Sequence, residues 1–369
     1  MKKVLLILVP LLLVSLLAAI DFEFDGENRT RGAVYNDANE SDGGHIDNRT
    51  LLGINALYRP NLSMRATLQF GDVTWGGSGG SIPASVPISA YELYLNYRFR
   101  NTNIRVGQQY WRDNMSLILD DTFSGIMVSN DNLAGFETEI GWIKALERKR
   151  NDFDDYNYLL LNMQKMTSSI PWGFYASFGW DADYRNQNKD YTHITLMPYL
   201  SYDSGALTCN ANVFMGLHFL EDADTEVGIG AAAKADIDVG PVIVSGDVLF
   251  AIENGIAVLS PYYQNGLYIY GINEHNDALN LYWDNPYSNN NDTVLSLVGK
   301  VKGDITRNFS AFGAAGILID KGFEINGGVE FKLIPDILSL TGYAALGIGT
   351  DDGPTNYALG TTLKMYIKD

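Results

Sequence analysis

Apolar and polar residues alternate with a period of two along nearly the whole chain. Leu62, Met64, Ala66, Leu68 and Phe70 are interleaved with Ser63, Arg65, Thr67, Gln69 and Gly71. Phe323, Ile325, Gly327, Val329, Phe331 and Leu333 alternate with Glu324, Asn326, Gly328, Glu330 and Lys332, and Tyr357 to Ile367 keeps the same rhythm. Such a pattern gives an extended strand one apolar and one polar face. No convincing helical period is present. The pattern predicts strands over 22–34, 45–58, 62–75, 88–100, 102–111, 124–130, 133–147, 155–166 and 172–184. It continues over 191–203, 206–219, 227–239, 241–253, 292–304, 309–319, 322–334, 338–349 and 356–367. That makes eighteen; without the weak 124–130 segment and one neighbour it makes sixteen.

The connections alternate between short and long. Arg59-Pro60-Asn61, Arg100-Asn101, Asn130-Asp131-Asn132, Thr167 to Pro171, Asp203-Ser204-Gly205, Gly240-Pro241, Thr306-Arg307-Asn308 and Pro335-Asp336 carry the Pro, Asn, Asp and Gly of tight turns. The others, 35–44, 76–87, 112–123, 148–154, 185–190, 220–226, 254–291 and 350–355, are mostly longer, and only 320–321 is tight. Outer-membrane barrels have short periplasmic turns and longer outer loops. An even strand count puts both ends of the chain on the periplasmic side.

A soluble sandwich or propeller also alternates, so strand length and aromatics must decide. Many predicted strands run 12 to 14 residues, whereas soluble strands average about five or six and a tilted membrane-spanning strand needs ~9–11. Tyr58, Trp75, Tyr110, Trp111, Trp142, Trp172, Trp180, Tyr184 and Tyr199 sit near strand ends, as aromatic girdles at two membrane interfaces would. The expected fold class is therefore all-β, a single transmembrane antiparallel up-and-down β-barrel in contact with outer-membrane lipid and lipopolysaccharide.

The N-terminus fits that destination. Lys2 and Lys3 precede the apolar run Val4 to Leu17, and Leu17-Ala18-Ala19 ends on a small residue. Residues 1–19 thus read as a secretory signal peptide, with 20–369 as one barrel domain. The run is shorter than a helical span, and a polar segment follows it. The one cysteine, Cys209, excludes an internal disulfide. A formal charge of −18 excludes generic nucleic-acid binding.

That charge is unevenly spread. Arg29, Arg31, Arg49, Arg59, Arg65, Arg98, Arg100, Arg105 and Arg112 cluster in the first five strands or just beyond, and no lysine lies between Lys3 and Lys144. Most of these arginines keep the polar phase. Glu23, Asp25, Glu27, Arg29 and Arg31 share a face, as do Arg65, Thr67 and Gln69, then Ala90, Glu92, Tyr94, Asn96 and Arg98, then Arg105, Gly107 and Gln109. An arginine facing lipid at mid-membrane costs about 2–4 kcal/mol, so these side chains are expected to face the lumen. Guanidinium fits carboxylate and phosphate bidentately. Two readings stay open: a pathway for anions through an arginine-lined lumen, or arginines and acids that only brace adjacent strands.

The stretches Tyr91-Glu92-Leu93-Tyr94-Leu95, Arg105-Val106-Gly107-Gln108-Gln109 and Phe123-Ser124-Gly125-Ile126 resemble the alginate-export family of outer-membrane channels and related porin-like barrels. The resemblance covers about 88–128 and elsewhere only the architecture. It departs at Gln108, where the family often has arginine, and at the Met365-Tyr366-Ile367-Lys368-Asp369 terminus, which lacks a final aromatic residue. It implies an eighteen-stranded monomeric barrel passing an anionic polysaccharide, with Glu92, Arg105 and Gln109 in the lumen.

Acidic loop residues such as Asp120-Asp121, Asp152, Asp154-Asp155, Glu221-Asp222, Asp224 and Asp351-Asp352 read as a solvated rim, with divalent cations as the alternative. None has the spacing of a calcium loop. The segment 254–291 carries Tyr262, Tyr263, Tyr268, Tyr270, Tyr282, Trp283 and Tyr287, either as a self-packed lid or as a sugar-stacking one. His45, His193, His218 and His275 are scattered, and no Cys/His set has metal spacing. No cofactor, metal or catalytic residue is expected, and no enzyme. The expectation is a channel for small polar, anionic or sugar-like solutes, lined by Arg29, Arg31, Arg49, Arg65, Glu92, Tyr94, Arg98, Arg105, Gln109 and Arg112. The alternative is a non-conducting structural or adhesive barrel that works through its outer loops.

Overall fold

The computed structural model describes residues 20–36, 42–75, 86–147, 155–165, 170–182, 190–273, 287–288, 292–350 and 355–368. The segment 1–19, read as a signal peptide, lies outside them, as do Asp152, Asp154, His275, Tyr282, Trp283, Asp351 and Asp352. The first six strands are β1 (Asp21–Asn36), β2 (Asp42–Arg59), β3 (Leu62–Thr74), β4 (Ile88–Phe99), β5 (Thr102–Arg112) and β6 (Asp120–Leu133). Next come β7 (Phe136–Leu146), β8 (Tyr156–Lys165), β9 (Trp172–Asp181), β10 (Tyr191–Asp203), β11 (Leu207–Leu220) and β12 (Glu226–Asp238). The last six are β13 (Val242–Ala251), β14 (Val294–Thr306), β15 (Phe309–Leu318), β16 (Gly322–Ile334), β17 (Leu338–Gly349) and β18 (Thr355–Lys368). All eighteen predicted strands are present among the described residues.

Each strand pairs antiparallel with its chain neighbours, and β18 closes on β1 from Asp25↔Lys368 to Tyr35↔Ala358. Closure leaves no edge strand, the condition for a sheet to cross lipid. The outer face is built from exposed large apolar side chains, including Phe24, Leu95, Ile140, Ile325 and Leu359. A soluble sandwich would bury that face. Here the apolar phase points outward around the ring, so the fold is that of a transmembrane β-barrel.

Two local departures from strict alternation shift residues predicted from phase alone. Thr67 stands opposite Glu92, but Leu68 stands opposite Ala90. Tyr91 is therefore an inserted bulge residue, and Ala90 shares the outer face with Leu68 instead of the lumen face with Glu92. The turn expected at Asn130-Asp131-Asn132 lies further on. Ala134 and Gly135 take φ of 54° and 84° and form the tight turn, the left-handed pair that suits a two-residue hairpin. The asparagines make an irregular strand end, with Asn132 N–H donating to Asn130 Oδ1 at 2.9 Å and Gly135 N–H donating to Asn132 Oδ1 at 3.0 Å.

The packed core lies inside the barrel. The β5–β6 hairpin leaves the wall on both sides at its outer end. β4 follows β5 only as far as Leu93↔Gln108, and β7 follows β6 only as far as Ile143↔Gly125. Beyond those pairs the hairpin continues alone from Gln109↔Phe123 to Arg112↔Asp120. Its tip buries Met115, Leu117, Ile118 and Leu119. The segment after β13 also turns inward and buries Ile256, Leu267, Tyr268 and Ile269. The two meet through a Leu119↔Ser260 bridge, with Asp120 N–H donating to Ser260 O at 2.8 Å. Their hydrophobic cluster includes Met127, Tyr158, Tyr175 and Phe214 from the wall.

Candidate functional site: a constricted lumen

Each inward segment is held by one carboxylate. Asp113, at the root of the hairpin tip, accepts N–H bonds from Met115, Leu117, Ile118 and Leu119 at 2.7–3.2 Å. Burial pushes its carboxyl upward from the usual range, while those four N–H groups pull it back down. Glu324 on β16 is fully buried and accepts N–H bonds from Tyr268, Ile269 and Tyr270 at 2.8–3.0 Å. Backbone turned away from the wall needs such partners. Further ties cross the barrel. Asn114 and Asn212 exchange amide hydrogen bonds of 3.0 and 2.9 Å. Lys234 Nζ donates to Gln264 O at 2.6 Å and lies 4.0 Å from the centre of the Tyr263 ring. The Tyr263 hydroxyl donates to Asp247 at 2.8 Å.

The plug fills one side of the barrel and leaves a passage on the other. A cavity of about 770 Å³ is bounded by Arg29 on β1, Arg49 on β2, Lys302 on β14 and Lys364 on β18. Facing them are Asp120, Asp121, Ser260 and Tyr262 from the inward segments. A second cavity of about 520 Å³ reaches toward the tight-turn end, with Lys300, Lys302, Asp236 and Phe312 in its wall. The two share Gln264 and Lys302 and so adjoin inside the barrel. Glu27, Asp72 and Glu330 stand between the cations of the larger cavity on the wall, and the plug adds Asp120 and Asp121, so charges of both signs alternate around the passage.

The predicted residues divide into three groups. Arg29 and Arg49 line the larger cavity, where Arg29 lies 3.4 Å from Asp72 and Arg49 lies 3.7 Å from Glu27. Arg31, Arg65, Glu92 and Arg98 brace the wall. Arg31 Nε sits 3.0 Å from Asp47 and is buried with it. Arg65 grips Asp25 with two bonds of 2.6 and 2.7 Å and reaches Glu92 at 3.3 Å. Thr67 donates to the same Glu92 at 2.7 Å. Arg98 meets Asp131 at 2.9 Å on the exposed rim. Tyr94 carries the Arg105 guanidinium 5.9 Å from its ring centre, outside both large cavities. Gln109 is buried at the hairpin root and donates to the carbonyls of Arg105, Gly107 and Gly125 at 3.3–3.5 Å. Arg112 is exposed on the hairpin opposite Asp120.

Sequence reasoning missed the other half of the site. Lys302 and Lys364 keep the polar phase of β14 and β18, which was a usable signal. Asp120 and Asp121, read as solvated rim, stand in the passage; Tyr110 and Ser116 both donate to Asp120. The tyrosines of the long loop are mostly consumed by packing. Tyr268 stacks on Tyr343 at 4.1 Å and Tyr263 meets Tyr287 edge-on at 5.9 Å, leaving Tyr262 to face the cavity.

Fold and site together define a closed eighteen-stranded transmembrane barrel whose lumen is narrowed by segments folded in from one end. Solved structures share this architecture. OpdK, an outer membrane protein of Pseudomonas aeruginosa solved with vanillate, superposes with a TM-score of 0.64 at 12% identity, over 94% of this chain and 98% of that one. OpdL of the same organism gives 0.65 at 13% identity, over 94% and 99%. OmpT of Vibrio cholerae, as a loop-deletion mutant, gives 0.54 at 11% identity, over 95% and 100%. No protein-family model and no curated protein sequence matches the chain.

Proposed function

We propose that this protein is an outer-membrane channel that passes small solutes bearing a carboxylate or similar anionic group, with residues 1–19 as its export signal. One observation carries the reading: the larger cavity beside the plug gathers four cations, Arg29, Arg49, Lys302 and Lys364, interleaved with the carboxylates of Glu27, Asp72, Asp120, Asp121 and Glu330. A moving anion finds successive partners there, each of them shared with a protein carboxylate and so weak enough to release it. The vanillate held by OpdK in its crystal structure supports a small carboxylate as cargo. The inward segments favour small solutes over the polysaccharide that the alginate-export resemblance implies. Transport rather than catalysis is the proposal, since His193 and His218 are buried and bonded to Tyr156 and Tyr191.

Planar-bilayer recording under a salt gradient tests this. The wild type should prefer anions, and Arg29→Ala with Arg49→Ala should roughly halve the anion-to-cation permeability ratio, since each removes one wall charge. A channel whose selectivity ignores both changes sinks the role of the arginines. The second reading, a closed barrel acting through its loops and its contact with lipopolysaccharide, draws on the bracing pairs of Arg31, Arg65 and Arg98. It predicts no conductance at all.

A further inference from the structure

The place where the β5–β6 hairpin leaves the wall is a gap in the barrel. From Asp120 to Ser124, β6 no longer meets β7, while β7 runs on through Lys144 to Leu146 paired only with β8. The hairpin tip and the first residue of β6 have a different partner. Leu259 and Ser260 N–H groups donate to Ile118 O at 3.0 and 3.2 Å, and Asp120 N–H donates to Ser260 O. The inner segment thus takes over the edge at Asp120, and the Thr122 N–H is taken up by the Asp121 carboxylate at 2.7 Å.

A cavity of about 300 Å³ occupies the gap, at the lower end of ligand-sized pockets, ~300–1,000 Å³. Its lining draws on both phases: Thr122 and Ser124, in the outer phase of β6, join Phe123 and Ile143 of the inner phase and Leu259 of the plug. Ser260 lines both this cavity and the main chamber. The level is that of a membrane interface. Lys144 pairs with Asn157, and Asn157 pairs with Trp180. Trp142, two residue pairs nearer mid-membrane, is exposed on the outer face, and tryptophans settle at that depth.

We propose that this gap is a side portal that admits small amphiphiles with a neutral polar head from the membrane interface into the lumen. Phe123, Ile143 and Leu259 suit an alkyl or ring body, and Thr122, Ser124 and Ser260 suit a hydroxyl head. An anionic head is disfavoured, because Asp121 accepts the Ser260 hydroxyl at 2.8 Å and Lys144 is engaged by Glu147 and Asp155. The proposal shares with the channel reading only the placement of the barrel in a membrane.

The test is photolabelling of the intact protein in lipid vesicles with a medium-chain alkanol that carries a diazirine, followed by peptide mapping. Label is expected on Leu119, Phe123 or Leu259 as well as on outer-face residues such as Ile126 and Ile140. Ala145→Trp, at the β7 bulge that lines the gap, should cut the inner label several-fold and leave the outer label unchanged. Ser124→Phe, at the outer rim, should do the same if Ala145→Trp does not assemble. Absence of inner label in the wild type, or inner label that persists in an assembled variant, overturns the portal. Conductance of the same preparation separates the two ideas. Inner label without conductance removes the channel reading alone, and anion-selective conductance without inner label removes the portal alone.

Discussion

Glu324 shows how one side chain can hold a segment that covers part of the lumen. Its carboxylate is fully buried yet takes three backbone N–H groups, and Asn326 adds a fourth donor at 2.8 Å. Hydrogen bonds to a charged group contribute about 1.5–3 kcal/mol each, and leaving a buried donor unsatisfied costs a comparable amount. Glu324→Gln keeps the volume but offers one acceptor oxygen and places an NH2 group against backbone donors. The expected result is a plug that detaches around Tyr268–Tyr270 while the barrel stays closed. Single-channel conductance should rise, and limited proteolysis should cut within 254–273 without loss of the heat-resistant barrel. A variant with wild-type conductance and protease resistance would show that packing of Tyr268 on Tyr343 suffices. Asp113→Asn should have the parallel effect on the hairpin tip.

At the scale of elements, two glycines mark where the hairpin turns away from the wall. Gly107 and Gly125 face each other across β5 and β6. Gly107 has φ of 129°, and a Cβ there would overlap the Leu93 carbonyl oxygen; one on Gly125 would overlap that of Trp142. Each glycine thus lets its strand lie close to the neighbouring strand where the two part, Gly125 at the last shared pair and Gly107 one pair before it. Strain of this kind costs on the order of 1–3 kcal/mol per residue, and steric overlap with backbone adds to it. Gly107→Val and Gly125→Val should therefore impair assembly, read as loss of the folded band on unheated gels. Gly246 is a built-in comparison, since a Cβ there meets nothing within 4 Å, and Gly246→Ala should assemble normally.

The same elements explain what was legible beforehand. Lipid outside and a wet lumen inside impose a period of two on every strand, so strand number, order and facing could be read locally. The long loops were expected as loops, but their inward course was not, because it rests on distant partners. Ser260 reaches Asp121 across 139 positions and Tyr268 reaches Glu324 across 56. The Tyr91 bulge reversed Ala90 for a similar reason: an inserted residue breaks phase without any mark in composition. Of the charged site, Arg29 and Arg49 were found and Lys302, Lys364, Asp120 and Asp121 were not. The arginines drew attention as a cluster along the chain, whereas the lysines come close to them only when β18 closes on β1.

For the whole molecule, the balance of charge depends on where it is sampled. The chain carries −18, and both ends of the barrel show exposed acids: Asp190, Glu221 and Asp222 at the loop end, and Asp203, Asp238 and Asp336 at the tight-turn end. Inside, the larger cavity sets Arg29, Arg49, Lys302 and Lys364 among five carboxylates, Glu27, Asp72, Asp120, Asp121 and Glu330, a near balance in place of the acidic excess of the rims. These two fields are screened differently. The Debye length falls from about 30 Å at 0.01 M salt to about 3 Å at 1 M, and partly buried charges are screened far less than exposed ones. At low salt the acidic ends should enrich cations at both mouths and mask the wall of the lumen. At high salt the mouths go quiet and the partly buried cations along the passage still act. Anion preference should therefore increase as the mean salt concentration rises at a fixed concentration ratio across the bilayer, the reverse of a channel whose selectivity comes from its rim. Reversal potentials over such a series measure this directly. If anion preference falls steadily with salt instead, the lumen cations are too far from the solute path to select, and the arginines and lysines of β1, β2, β14 and β18 serve only to brace the wall.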